Sequence, residues 1–98
     1  MAEPFVIDAT AVKALSDQVW RRIGVTQTFE RLLVEAALTT PGAPDAVSQT
    51  AAQTLSGGAA RFWDLSREQL ERDLCRRRIL IKRDGVLQAH EEFAERLN

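Results

Sequence analysis

At 98 residues, with 45% hydrophobic and 28% charged residues, the chain has enough apolar surface for one modest core and too little for two. That balance excludes a wholly disordered chain, and the lone cysteine, Cys75, excludes an intrachain disulfide. A formal charge of −1 runs against the basic excess of dedicated nucleic-acid binders.

No apolar run approaches the ~20 residues that span a bilayer. Residues 1–98 therefore read as a single domain with no membrane partner. The short Phe5-Val6-Ile7 run between Glu3 and Asp8 does not make a signal peptide. With the lone thiol, this gives a cytoplasmic expectation, and residues 1–7 are expected to be a loose N-terminus.

Asp8 or Thr10 can cap a first helix, in which Val12, Leu15, Val19 and Ile23 recur at helical spacing. Gly24 ends it, because glycine accepts the left-handed conformation past a helix end. Thr26 caps a second helix with an apolar face of Phe29, Leu32, Leu33, Ala36 and Ala37. Thr39 to Pro44 is a loop by composition, and Pro44 or Asp45 opens a weak third helix to about Leu55. Gly57-Gly58 stops it, and Phe62, Trp63 and Leu65 form an apolar turn.

Ser66 and Gln69 then make a capping box, flanked by Leu65 and Leu70 as a hydrophobic staple. Beyond Leu74 two readings stand. Either the helix continues to about Lys82 and Asp84-Gly85 separates it from a last helix, or Ile79 to Leu87 forms a β-hairpin around an Asp-Gly type I′ turn. The helical reading is adopted, with helices near 10–23, 27–38, 45–55, 66–82 and 86–97. The fold class is thus all-α, a small bundle of five or six short helices. The alternative is a winged helix with a C-terminal hairpin at 79–87.

Candidate chemistry is sparse. His90 is the only histidine, and no glycine-rich elbow surrounds it or Cys75. One Cys and one His do not assemble a zinc site. Gly57-Gly58 lacks the Lys-Ser/Thr of a phosphate loop. Glu91, Glu92 and Glu95 lie on a polar helix face, where nothing raises a carboxyl into the acid–base range. No enzyme, cofactor or metal is expected.

The charge distribution is more informative. From Arg61 to Arg83 there are eight basic and four acidic residues. The run Arg76-Arg77-Arg78, with Lys82 and Arg83, can hold phosphates, finish a helix at its negative pole, or pair with Glu91, Glu92 and Glu95. The helix-ending and pairing roles are preferred, because charge runs on helices usually face water. Trp20, Phe62 and Trp63 are large apolar groups in a chain with little core; core is the default reading for them, and any of them left exposed would mark a partner site.

Two resemblances bear on function. The stretches Val19–Val25, Phe29–Leu38, Leu65–Arg72 and Ile79–Lys82 resemble, in helix length and apolar spacing, the helical N-terminal region of SurA-like parvulin-type prolyl isomerases. The parvulin domain is absent, so the resemblance implies polypeptide binding without isomerase activity. Residues 66–77 followed by 78–87 are similar to the recognition helix and wing of a winged helix, which implies DNA binding.

The expected function is a non-enzymatic polypeptide-binding adaptor, accessory subunit or holdase-like module. Its expected contact residues are Trp20, Phe62, Trp63, Arg76, Arg77 and Arg78, and self-association is compatible with it. A winged-helix DNA-binding regulator is the alternative.

Overall fold

A computed structural model describes residues 3–97. The element order is α1 (Ala9–Lys13), α2 (Asp17–Arg22), α3 (Thr28–Thr39), α4 (Pro44–Ala51), α5 (Gly57–Arg76), β1 (Leu80–Arg83), β2 (Val86–Ala89) and α6 (Glu91–Leu97). The fold is mostly helical, as expected, but not all-α. The strands form an antiparallel pair in the register Leu80↔Ala89 to Arg83↔Val86. Gly42, in the loop before α4, bridges Leu87 on the free side of β2.

The hairpin exists because α5 stops short of the expected position. Arg77 is its C-cap and Arg78 follows at φ 60°. The Ile79 N–H donates to the Leu74 carbonyl and the Arg78 N–H to the Cys75 carbonyl, each at 3.0 Å. These two bonds are a Schellman motif with arginine where glycine is usual. Gly24 closes α2 with the same pair of bonds, Val25 to Trp20 and Gly24 to Arg21. Asp84 and Gly85 both adopt positive φ, 54° and 77°, the geometry of a type I′ turn. The last helix accordingly begins at Glu91 rather than Val86, capped by His90, whose Nδ1 accepts the Glu92 N–H at 3.1 Å.

Two other boundaries differ from expectation. The first helix is broken at Ala14–Ser16, where the Ser16 hydroxyl accepts the Val19 N–H and starts α2. Gly57 opens α5 instead of terminating the preceding helix, so α5 runs for 20 residues. Ser66 lies inside it, and its hydroxyl donates to the Phe62 carbonyl rather than capping. A continuous helix puts Trp63, Leu70 and Leu74 on one side, at spacings of seven and four. Trp63 and Leu74 are then fully buried. A capping box does form, at Gln27 and Glu30 in place of Thr26.

The core centres on α3, whose Leu33, Val34, Ala36, Ala37 and Leu38 are all buried. Around it pack Val12, Trp20, Ile23 and Val25 from the N-terminal elements and Val47 and Ala51 from α4. Ile79, Leu80, Leu87 and Phe93 close it from the C-terminal side. The start of the described chain is tied to this core, with the Ile7 N–H donating to the Leu38 carbonyl at 2.9 Å. Residues 1 and 2 lie outside the described residues.

Candidate partner-binding face

The expected contact residues separate into two groups. Trp20 is 2% and Trp63 1% exposed, so both are core side chains, contrary to their expected role as contacts. Each also has its own partner. The Trp63 indole N–H donates to the buried Ser48 hydroxyl at 2.9 Å, which satisfies two polar groups at once. The Arg31 guanidinium stacks 5.1 Å from the centroid of Trp20. Phe62, by contrast, is 62% exposed. Its ring centroid lies 5.8 Å from Phe29, which in turn meets Trp63 edge-on at 5.3 Å.

The arginines serve the fold. Arg77 donates to Glu30 and Asp73 and, through its other terminal nitrogen, to the Gly24 carbonyl, pinning the end of α5 to the start of α3. The Glu30 hydrogen bond, and secondarily that to Asp73, push the Arg77 guanidinium above its usual range. Hydrogen bonds from Arg77 and Arg76 hold the Asp73 carboxyl below its usual range. Arg78 pairs with Glu92 at 3.2 Å, and Arg83 pairs with Glu91. Hydrogen bonding by Arg83 lowers the Glu91 carboxyl. Two of the three α6 glutamates thus take up the pairing read from the sequence.

Cys75 and His90 both line an open cleft of about 720 Å³ between the C-terminal half of α5 and β1, beside Glu71, Arg72 and Lys82. No hydrogen bond joins the two. Burial, with help from Glu71, pushes the Cys75 thiol up, which keeps it protonated at neutral pH. His90 Nδ1 is already an acceptor in the α6 cap. Among the described residues, no group of three or more His, Cys, Asp or Glu side chains is placed to hold a metal ion. No described helix is long and apolar enough to cross a membrane.

The outward side of α5 carries what the fold does not use. At 100° per residue, Gly58, Arg61, Leu65, Gln69, Arg72 and Arg76 point away from Trp63 and Leu74, and all six are exposed. Leu65 is 82% exposed, the highest value among the large hydrophobic side chains of the described residues. Phe62 flanks it one turn back, at the lip of a shallow groove of about 360 Å³ shared with Phe29 and Leu70. Sequence reasoning missed Leu65 because it treated that residue as a staple at a helix start. The missed signal was the spacing of Trp63, Leu70 and Leu74, which fits one helix and puts Leu65 opposite. Comparison with protein-family models, with curated proteins and with solved structures finds no match to this chain.

Proposed function

We propose that the protein is a non-enzymatic polypeptide-binding module, an adaptor or accessory subunit of the cytoplasm, acting through the outward face of α5. One observation carries this reading: Phe62 and Leu65, exposed at 62% and 82%, lie one turn apart on the longest helix. A neighbouring pair of large exposed apolar groups on a rigid element is the usual anchor of a protein interface. The holdase-like form of the reading rests on the SurA-like spacing of the helices. A photo-crosslinking residue at position 65, compared with one at the exposed Ala11, tests the proposal in the native cell. Cross-links to polypeptide from 65 but not from 11 are expected; their absence from 65 contradicts it.

A winged-helix DNA-binding regulator is the second reading, and the hairpin favours it. Helices α3, α4 and α5 followed by β1 and β2, with Gly42 bridged to Leu87, are compatible with that arrangement. Electrostatics weigh against it. Arg76, Arg77, Arg78 and Arg83 each bond a carboxylate, and α5 itself carries four arginines against four acids. Phosphate binding through free cations makes affinity fall with salt at a slope near −0.9 per contact. Anisotropy with mixed-sequence duplex is expected to show no binding tighter than about 10 µM at ~0.15 M salt. Sub-micromolar binding with a steep salt slope establishes the regulator instead.

A further inference from the structure

We infer that the polypeptide bound by α5 is a second copy of this chain, packed antiparallel against the same helix about a two-fold axis near Leu65. The inference rests on the reading of α5 as a polypeptide-binding face. It is carried by the charge pattern around Leu65.

Arg61 lies one turn before Leu65 and Glu68 about one turn after it. They are seven residues apart, so they lie within about 20° of each other on the same flank of α5. Both are exposed, and neither makes an ion pair among the described residues, whereas the neighbouring Arg67 pairs with Asp45. A two-fold axis perpendicular to an antiparallel helix pair keeps like flanks on the same side and reverses their order. Each Arg61 then comes level with Glu68 of the second copy, giving two reciprocal opposite-charge pairs. A parallel arrangement in register would instead put the two Arg61–Glu68 flanks on opposite sides of the helix pair, where neither reciprocal pair forms.

The central stripe fits the same operation. Gly58, Leu65 and Arg72 are spaced by seven residues, so reversal about Leu65 stacks Leu65 on Leu65 and lays each Arg72 stem over Gly58 of the second copy. Nothing lies within 4 Å of where a Gly58 Cβ would stand, so that position is open to an incoming stem. The exposed leucine is thereby covered, and its neighbours are matched in size and charge. A contact between two helices falls below the ~1,200 Å² of a standard interface, which makes this a weak, concentration-dependent dimer.

Sedimentation velocity of the full chain from about 5 to 300 µM tests the arrangement. Self-association is expected within that range. Arg61→Glu and Glu68→Arg should each weaken it at least about tenfold by setting like charges opposite one another. The combined Arg61→Glu, Glu68→Arg variant should recover most of the loss, because the exchange restores both pairs. Both positions of this cycle are on the exposed flank, so circular dichroism should show every variant folded. A monomer at every concentration, or a dimer indifferent to the single reversals, overturns the inference. Cross-linking from position 65 distinguishes its failure from that of the broader reading. Adducts of twice the chain mass support the second copy. Adducts only with a different polypeptide overturn the second copy and leave polypeptide binding standing. No polypeptide adduct overturns both.

Discussion

Helices α3 and α5 have similar amphipathic patterns and opposite uses. In α3, six of twelve residues are buried; in α5, two of twenty. α3 is surrounded by α1, α4, α5 and β2, so even its flanks are covered. α5 lies on the outside and touches the core along one line, through Trp63 and Leu74. A helix needs only a narrow apolar stripe to be held in place. The rest of α5, more than 20 Å of helix at 1.5 Å per residue, is then free to carry other chemistry.

The comparison predicts where substitutions hurt. Trp63→Ala should have the largest effect, about 3–5 kcal/mol by urea unfolding, because it removes the main anchor of α5 and leaves Ser48 without its donor. A loss below ~1 kcal/mol would mean that α5 is held elsewhere. Arg77→Ala should cost about 2 kcal/mol, since it strips a charged hydrogen bond from Glu30, whose side chain is only 8% exposed. Arg76→Ala, which breaks one exposed pair, should cost less than about 0.5 kcal/mol in the same assay.

Arg78→Gly should act in the other direction. It relieves a left-handed residue at φ 60°, worth about 1 kcal/mol, and gives up only an exposed pair with Glu92. A lower unfolding midpoint would show that the Arg78–Glu92 pair matters more than the backbone. The smallest effect is on pH dependence. Asp73 and Glu91 have folded-state pKa values below their ordinary ones. The stability they add is full above the ordinary carboxylate range near pH 4 and is lost as pH falls through the lowered values. Thermal midpoints should drop on acidification below that range, and less steeply in Asp73→Asn.

Much of the helical content was legible, and the reasons for the misses are local. Gly24 announced the end of α2 because glycine occupies the left-handed position. Arg78 occupies the equivalent position after α5 with no such signal, so the helix was carried on to residue 82. Gly57-Gly58 carried the opposite error. Glycines are read as stops, but Gly57 opens α5, and tertiary burial of Trp63 and Leu74 extends that helix through Ser66. The pairing of arginines with the α6 glutamates was readable from charge alone. Trp20 and Trp63 are core side chains, in line with the default reading, but which of the three aromatics stays outside was not readable, because one step around a helix separates core from surface and the helix boundaries decide that step.

The most direct test of the contrast is one substitution made on each helix. Leu33, at the centre of α3, is 1% exposed, and Leu65, on the outside of α5, is 82% exposed. Unfolding free energies should be measured by urea at about 1 µM protein, where a weak dimer is dissociated. Leu33→Ala should lose about 2–5 kcal/mol and Leu65→Ala less than about 0.5 kcal/mol. Comparable losses at both positions would show that the outer face of α5 belongs to the fold and would contradict its assignment to a partner.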